Sequence, residues 1–358
     1  MDISIIAAFD NSMPLQANFF EGMFDVVDWN RCELILASDK CKNTETLELS
    51  RRMAAKHEGI RLVECPEKVG YSRANNAGVA ASTGDYLLFI NTDVFPEPGA
   101  IECLREAFER YPKAGAIQGL LLYPQNKKVM CTGHTFNDYM NHHLYNGRRR
   151  DEWCVQVPGL RQALNSAFLM MPRTVFDEMG GFTEFYYNAY DGMELTLRVQ
   201  QAGYECRYEP AAVGWHSTGG SRDYIRHNNE YQSKYFYRWF GQSIRTDLPD
   251  YLIPQLAKLD LADDYFVVDC TFCMTWKELL EKLGIAWSGS LAIESRDTSH
   301  IDLYRNLVPE VRKMDKPLCF VVNHFGDIAA NRRWFDKRAN PQDLIIDFFG
   351  NAMLVRDL

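Results

Sequence analysis

The chain has 358 residues, of which 46% are hydrophobic and 24% charged, and this length and composition predict a globular protein of about two domains. Its formal net charge of −9 argues against a nucleic-acid partner, which would favour a basic face. No run approaches the ~20 apolar residues that span a bilayer, and the first residues lack the basic region of a secretory signal, so a cytoplasmic protein is expected.

The ten cysteines raise the question of disulfides or a metal site. Most of them stand singly inside apolar segments, which is typical of free, buried thiols in a reducing compartment. Cys270 and Cys273 form the single C-x-x-C pair in the sequence. Because no second pair or histidine cluster lies nearby, this pair is weak evidence for zinc binding or redox chemistry.

Strands and helices are predicted to alternate along the first third of the chain. Short apolar runs predict strands at residues 3–8, 33–37, 60–64, 84–90 and 116–123, with helices at about 15–27, 44–57 and 99–111. The segment Gly70–Gly78 is expected to precede a further helix of small residues that stops at Gly84. This alternation predicts βαβ units and a doubly wound, mainly parallel α/β sheet.

One of these predicted strands ends in a carboxylate. Leu87–Ile90 is continuously apolar, as expected of a strand covered on both faces, and Asn91, Thr92 and Asp93 break the pattern. Ligands of open α/β sheets bind outside the carboxyl ends of the strands. Asp93 is therefore a candidate ligand for a hard cation such as Mg²⁺ or Mn²⁺. The alternative is a turn acid that caps the helix starting near Pro98.

From Pro124 to Arg161 the apolar residues no longer follow a clear strand or helix pattern. This stretch predicts either a mobile loop over a site or a surface loop without a role. Beyond it, strands are predicted at 167–171, 204–208 and 211–215, the last of which delivers His216, and helices at 175–179 and 191–201. Aromatic and basic residues mix from Lys234 to Phe240. This mixture suits a membrane-surface helix or a helix that packs its aromatic residues on the core.

Prolines in residues 247–254 predict a linker to a second unit. Apolar strands at 266–268, 291–293, 319–322 and 344–346 alternate with helical stretches and predict a small α/β unit. We therefore expect one domain over residues 1–244 and a C-terminal α/β region of unknown role over residues 245–358. Because the chain stops soon after a strand-like segment, it is expected to be cut from something longer.

A set of short motifs carries a family resemblance. The most specific are Gly70–Gly78, Gly84–Asp93 and Leu121–Pro124, and Gly180–Phe182 and Tyr204–His216, with Arg198 before them, add to these. In their order and spacing the motifs resemble a family 2 glycosyltransferase over roughly residues 1–240, in the subgroup that makes O-antigen, rhamnan and other cell-surface polysaccharides. The resemblance implies the GT-A fold, with a mixed, mainly parallel sheet, and an inverting mechanism.

The resemblance also implies a donor site. Asn91-Thr92-Asp93 is a variant of the family's D-x-D motif, so Asp93 would hold Mg²⁺ or Mn²⁺ on the diphosphate of a UDP-, dTDP- or GDP-linked sugar, and His216 matches a histidine facing the metal or diphosphate. The positions that match the nucleotide pocket are Phe9, Asn11, Ser38, Asp39, Arg73 and Asn76. Asn165–Ala167 matches the segment under the transferred sugar. Ser38 is a departure, because the family normally has an aspartate there.

An inverting transfer is a direct displacement, which needs a carboxylate to accept the proton of the acceptor hydroxyl and positive charge on the departing diphosphate. The family places this base in the helix after Gly-Gly-Phe, at a position that is Gly192 here. Asp191 and Glu194 flank it on one helical face, and either is a candidate base. The alternative is a helix-capping pair without a catalytic role.

These features predict a hexosyl- or deoxyhexosyltransferase that moves sugar from a nucleotide-sugar to a cell-surface glycan or lipid-linked acceptor. By resemblance it would work in the cytoplasm at the inner face of the membrane, with peripheral membrane contact and partner enzymes of a polysaccharide pathway. The alternative is a catalytically weak or inactive domain that binds nucleotide-sugar or glycan as a scaffold. A nucleotidyltransferase is not favoured, because no glycine-rich phosphate loop follows the first strand.

Overall fold

The computed structural model describes residues 1–10, 13–137, 140–187, 189–217, 226–271, 275–293 and 301–358. Contacts divide the chain into two compact units, Met1–His134 with Arg148–Ile244, and Thr135–Gly147 with Arg245–Leu358. The division into folding domains at 244/245 stays a prediction. In the structure, residues 135–147, which were expected in the first domain, cluster with the second unit.

The strands of residues 1–244 are β1 (Ile3–Phe9), β2 (Cys32–Ser38), β3 (Ile60–Glu64), β4 (Tyr86–Ile90), β5 (Val94–Pro96), β6 (Ala114–Leu122), β7 (Val129–Cys131), β8 (His134–Asn137), β9 (Met140–His143), β10 (Gly159–Leu160), β11 (Phe168–Pro172) and β12 (Glu205–His216). The helices are α1 (Met13–Val26), α2 (Thr44–Lys56), α3 (Gly70–Ala80), α4 (Ala100–Arg110), α5 (Arg173–Glu178), α6 (Asp191–Gln201) and α7 (Arg226–Phe240). The predicted alternation of strands and helices is confirmed.

The main sheet has the strand order β10-β12-β6-β11-β4-β1-β2-β3. Neighbours β3, β2, β1 and β4 are parallel, as are β6 and β12, whereas β11 runs antiparallel between β4 and β6. The sheet is therefore mixed but mainly parallel, as predicted. Strand residues such as Ile5, Leu34 and Leu88 are fully buried, because helices cover the sheet and each large apolar side chain contributes about 1.5–3 kcal/mol when buried.

Three local predictions were wrong. Gly70–Gly78 does not precede a helix but forms most of α3, because the Asp39 carboxylate accepts hydrogen bonds from the amides of Val69 (2.6 Å) and Gly70 (3.0 Å) at the helix start. The two strands predicted after residue 203 are one strand, β12, with an irregularity between Glu209 and Val213. The predicted linker at 247–254 is helical, because Pro249 lies in the first turn, where its missing N–H is not needed.

The second unit is a smaller α/β structure. Its sheet has the order β14-β13-β15-β16-β17, in which only β17 is antiparallel to its neighbour. The strands are β13 (Tyr265–Asp269), β14 (Trp287–Ala292), β15 (Leu318–Val322), β16 (Leu344–Asp347) and β17 (Ala352–Leu354). The helices are α8 (Leu248–Leu256), α9 (Trp276–Lys282), α10 (Leu303–Asn306), α11 (Pro309–Arg312), α12 (Gly326–Ala329) and α13 (Arg332–Arg338). The α/β architecture expected for this region is therefore confirmed.

Residues 135–147 belong to the second unit through specific hydrogen bonds. The Asp247 carboxylate accepts from the Thr135 hydroxyl (2.9 Å) and the Phe136 amide (2.8 Å). The Tyr145 amide donates to the Phe349 carbonyl (2.7 Å). The loosely patterned stretch therefore contains a segment held by polar contacts that are more than 100 residues apart in sequence.

Among the residues that the structure describes, no helix has the length and apolar character needed to cross a membrane. Every cysteine in the described ranges is a free thiol, as expected from their apolar surroundings. The C-x-x-C hypothesis is not tested, because Cys273 lies outside the described residues.

Candidate active site

Asp93 and His216 meet at the carboxyl ends of two strands. Asp93 follows β4, and the chain turns directly into β5, whose Val94 lies opposite His216 in β12. The Ser217 amide donates to the Asp93 carbonyl (2.8 Å), and this hydrogen bond connects the ends of β4 and β12. As a result, Nε2 of His216 lies 3.1 Å from Oδ1 of Asp93. The sequence resemblance had paired these residues, and the structure brings them into contact.

The tautomer of His216 bears on what this pair can bind. Its Nδ1 lies 3.0 Å from the Met130 sulfur, a weak acceptor, whereas its Nε2 faces the Asp93 carboxylate. With the proton on Nε2, the ring donates a hydrogen bond to Asp93. With the proton on Nδ1, Nε2 presents a lone pair beside the carboxylate oxygen, and the two atoms can share a metal ion.

The spacing and donor types also fit a divalent metal. Neighbouring ligands of an octahedral ion with bonds of about 2.1 Å are about 3.0 Å apart, close to the 3.1 Å found here. Carboxylate oxygen suits Mg²⁺ and Mn²⁺, and imidazole adds a ligand that Mn²⁺ tolerates. In addition, the buried Oδ1 of Asn91 has no hydrogen-bond partner among the described residues. Asp93 and His216, with Asn91 beside them, are the residues that could hold the ion.

Asp191 is the first residue of α6 and is buried. The Ser166 hydroxyl donates to its Oδ1 at 2.5 Å, a distance typical of a bond to a charged oxygen. Burial raises the pKa of Asp191, whereas the Ser166 hydrogen bond lowers it and nearby Glu194 raises it. A buried carboxylate with a raised pKa is better matched to proton transfer near neutral pH than a solvated one.

Both carboxylate oxygens of Glu194, the other candidate base, accept hydrogen bonds. Its Oε1 accepts from Thr183 Oγ1 (2.9 Å) and Arg198 Nε (2.8 Å), and its Oε2 accepts from Arg198 Nη2 (2.8 Å). Arg198 in turn donates to the Gly181 carbonyl (2.8 Å). The residue at the N-cap is Tyr190, which makes no side-chain cap bond, so Asp191 and Glu194 do not form a capping box. These contacts favour a structural role for Glu194.

Gly192 occupies a position without room for a side chain. A Cβ there would lie 2.6 Å from the Ser166 amide nitrogen and 3.1 Å from the Leu164 carbonyl oxygen. Both are main-chain atoms, so an acid at this position would require the backbone to move. The absence of the usual base is therefore accompanied by a close approach of residues 164–166 to the first turn of α6.

The predicted nucleotide-pocket residues lie at the ends of β1 and β2. Phe9 is the last residue of β1 and is buried, and Asn11 lies outside the described residues. Ser38 ends β2, and its hydroxyl accepts from the Cys41 amide (3.2 Å). Asp39 holds the start of α3 through the amide hydrogen bonds described above. Ser38 and Asp39 therefore lie at the predicted sheet edge. The side chain of each already accepts hydrogen bonds from nearby main-chain amides.

Arg73 and Asn76 on α3 contact the segment that precedes α6. Arg73 pairs with Glu184 (2.7 Å), and both side chains are half exposed. Asn76 donates to the Phe182 carbonyl (2.9 Å) and accepts from the Phe182 amide (3.0 Å). In this structure both residues hold residues 182–184, and their predicted contact with a nucleotide stays a prediction.

The segment Asn165–Ala167 contacts both the end of β4 and the start of α6. The Asn91 amide donates to the Ala167 carbonyl (3.1 Å), and Ser166 contacts Asp191 as described. The partly buried Tyr71 donates to the Ser166 carbonyl (3.2 Å), and its pKa is raised by desolvation and by the charges of Asp191 and Asp93. Neither the Ser166–Asp191 bond nor the Tyr71 contact was predicted, since their partners lie 25 and 95 residues apart and no periodicity reveals them.

Comparison with known proteins relates part of the chain to glycosyltransferases. The family model "Glycosyl transferase family 2" matches residues 5–169, which include Asp93 but neither α6 nor His216. An uncharacterised protein of Sinorhizobium fredii is 27% identical over 229 residues, which cover 62% of this chain and 25% of that protein. N-acetylglucosaminyl-diphospho-decaprenol L-rhamnosyltransferase of Mycobacterium tuberculosis is 26% identical over 186 residues, 45% of this chain and 60% of that protein.

The fold is also found among solved structures. GalNAc-T7, solved with UDP, GalNAc and Mn²⁺, superposes with a TM-score of 0.55 at 11% identity, covering 80% of this chain and 55% of that one. The chain spans only 25% and 60% of the length of the two sequence relatives. The superposition confirms the expected GT-A fold, and the family match confirms the resemblance. Residues 5–169, a little under half of the chain, match the model of glycosyl transferase family 2.

Proposed function

We propose that this protein is an inverting glycosyltransferase that moves a sugar from a nucleotide-sugar to a cell-surface glycan or a lipid-linked saccharide. The observation that carries the proposal is the Asp93–His216 pair at the ends of β4 and β12, joined through residues 165–167 to the buried Asp191. A donor-binding half and a proton-accepting half therefore share one edge of the sheet. This is the minimum equipment of a direct displacement.

The donor half would hold the leaving group. Asp93 and His216 would bind Mg²⁺ or Mn²⁺, which neutralises the charge that develops on the departing diphosphate. Asn91 and Thr92 belong to the same strand end, where Thr92 is buried. Phe9, Asn11, Ser38, Asp39, Arg73 and Asn76 are proposed to line the nucleotide. Of these, Ser38 replaces a carboxylate with a hydroxyl, so base recognition there would use a neutral group.

The acceptor half would activate a hydroxyl. Asp191 is proposed as the base because its carboxylate is buried with a raised pKa, whereas both oxygens of Glu194 are paired. The scaffold alternative rested on Gly192, and the packing at this residue offers a different reason for the glycine. The name of the M. tuberculosis relative, a rhamnosyltransferase acting on a lipid diphosphate sugar, supports a lipid-linked acceptor and a deoxyhexosyl or hexosyl donor.

A panel of donors tests the proposed function. The purified chain is incubated with UDP-, dTDP- and GDP-linked sugars, each with Mn²⁺, with Mg²⁺ and with EDTA. Release of the nucleoside diphosphate is expected from one class of donor and is expected to stop in EDTA. Binding of a donor without any turnover, with lipid-linked acceptor present, would favour the scaffold instead.

Helix α7 offers a surface for the proposed contact with the inner face of the membrane. Phe236 is fully buried, whereas Tyr231 and Trp239 are 67% and 64% exposed, and the basic residues Lys234 and Arg238 lie between these two in sequence. Exposed aromatic and basic side chains suit the headgroup region of an anionic bilayer. The helix therefore contributes a buried aromatic residue to the core and also carries exposed residues suited to a membrane surface.

Vesicle sedimentation checks this contact. Tyr231→Ser combined with Trp239→Ser is expected to weaken binding to vesicles of anionic phospholipid about tenfold or more, because the aromatic anchors are lost. Trp153→Ser, which removes an exposed aromatic residue outside α7, is the matched control and should bind as the unaltered protein does. Equal binding of both variants would contradict the assignment. Partner enzymes of a polysaccharide pathway are proposed from the family alone.

A further inference from the structure

We propose that Ser166 is a positioning residue that orients Asp191 as the acceptor-activating carboxylate, and that Gly192 is needed because a side chain there would push Ser166 away. The inference rests on the proposed function. It assigns the glycine at the usual base position a definite task, which is to let a neighbouring loop reach the carboxylate one residue earlier in the helix.

The geometry begins with the hydrogen bond between Ser166 and Asp191. The donor–acceptor distance is 2.5 Å, and the two residues are only 9% and 7% exposed, so water competes little for the carboxylate. The bond occupies Oδ1 and fixes the rotation of the carboxyl group. The second oxygen then has a defined direction, which is the requirement for a base that must meet one particular hydroxyl.

The close approach at Gly192 makes this bond possible. A Cβ at this residue would lie 2.6 Å from the Ser166 nitrogen and 2.9 Å from the Ser166 Cβ. Contacts this short are not tolerated by real Cβ atoms, and one partner is main chain, so the loop would have to retreat. If Ser166 moved away from Asp191 by about 1 Å, the 2.5 Å hydrogen bond between them would become longer than the normal range.

The loop that carries Ser166 is held on both sides. The Leu164 amide donates to Thr196 Oγ1 on α6 (3.0 Å), and the Asn165 amide donates to Gln118 Oε1 on β6 (2.7 Å). Tyr71 on α3 donates to the Ser166 carbonyl (3.2 Å). Ser166 is therefore placed by three different elements before any substrate arrives, and its contact with Asp191 is preorganised.

The electrostatic surroundings explain why a hydroxyl matters here. Asp191 faces Glu194 on its own helix, Tyr71 on α3 and Tyr186 in the preceding loop, and no cationic group is among the causes that shift its pKa. Burial and Glu194 favour the neutral acid, whereas the Ser166 hydroxyl and, after it, the main-chain amides of Asp191 and Gly192 favour the carboxylate. Loss of the hydroxyl should therefore raise the pKa of Asp191 further.

The test measures the titration of Asp191 directly. The ¹³Cγ signal of Asp191 in aspartate-labelled protein is identified by its absence from Asp191→Asn and is followed against pH. In Ser166→Ala the apparent pKa is expected to rise by about one unit or more, the order of effect of a hydrogen bond to a charged group. Gly192→Ala should give a shift in the same direction. Ser50→Ala removes a buried hydroxyl that contacts Gln16 and Thr46, and should leave the titration unchanged.

Kinetics give the second readout. Because the base must be ionised, the acid limb of the pH–kcat profile should move to higher pH in Ser166→Ala, and KM for the donor should stay within about twofold. An unshifted titration in Ser166→Ala, or transfer that survives Asp191→Asn, would overturn this inference and leave the transferase assignment standing. Absence of donor turnover in the unaltered protein would instead overturn the proposed function and this inference with it.

Discussion

Asp93→Ala is expected to abolish metal-dependent turnover of the donor, with a loss of at least about 10³-fold in kcat/KM. The substitution removes the one carboxylate at the end of β4 that faces His216, so the metal would keep a single imidazole and the diphosphate would lose its charge partner. The measurement is nucleoside diphosphate release against Mn²⁺ concentration, together with calorimetric titration of Mn²⁺.

The control for this variant is Asp85→Ala, which removes the same charge at the opposite end of the same strand. Asp85 is exposed just before β4, and its carbonyl, which stays intact in the variant, accepts from the Arg173 amide (2.8 Å). Asp85→Ala should therefore keep full turnover and Mn²⁺ affinity. Undiminished activity of Asp93→Ala, at equal Mn²⁺ affinity, would eliminate Asp93 as the metal ligand.

Asp191→Asn is expected to lower kcat by about 10²-fold or more, because an amide cannot accept the proton of the acceptor hydroxyl. The amide oxygen still accepts from Ser166, so the local structure should persist. The same variant should be at least as stable as the unaltered protein at pH 7. Steady-state kinetics and urea unfolding on one preparation measure both quantities.

The sign of the stability effect follows from the raised pKa of Asp191. A carboxyl group whose pKa is higher in the folded than in the unfolded state disfavours folding when it is ionised. This penalty is present above the folded pKa and is relieved as the pH falls through it. Asparagine carries no charge, so its advantage in unfolding free energy should be largest at neutral pH and should shrink in acid.

Glu194→Gln separates the two candidate bases. It leaves the Arg198 guanidinium with a neutral partner in a largely buried site, so its main effect should be a loss of stability. An unchanged rate in Asp191→Asn together with a collapse in Glu194→Gln would transfer the role of base to Glu194.

The position of the proposed donor half could be predicted from the sequence because it depends on local patterns. A continuous apolar run predicted β4, and a break in that run placed Asp93 at its carboxyl end, where the structure has it. Similarly, α6 was predicted at its observed bounds, because Gly203 follows its last turn. Errors arose where a distant partner decides the local structure, as at Gly70, whose helix is started by the Asp39 carboxylate from 31 residues earlier.

The sequence by itself determined the alternation of strands and helices, the mainly parallel sheet and the carboxylates that reach its edge. These follow from hydrophobic periodicity and from helix-stop signals, which act within a few residues. Only the tertiary structure decided how the proposed acceptor half is built. The Ser166–Asp191 bond and the close packing at Gly192 require that residues 164–166 and the start of α6 fold onto each other, and no short-range pattern encodes that approach. In the same way, residues 135–147 were assigned to the second unit by Asp247, whose carboxylate lies more than 100 residues away in sequence.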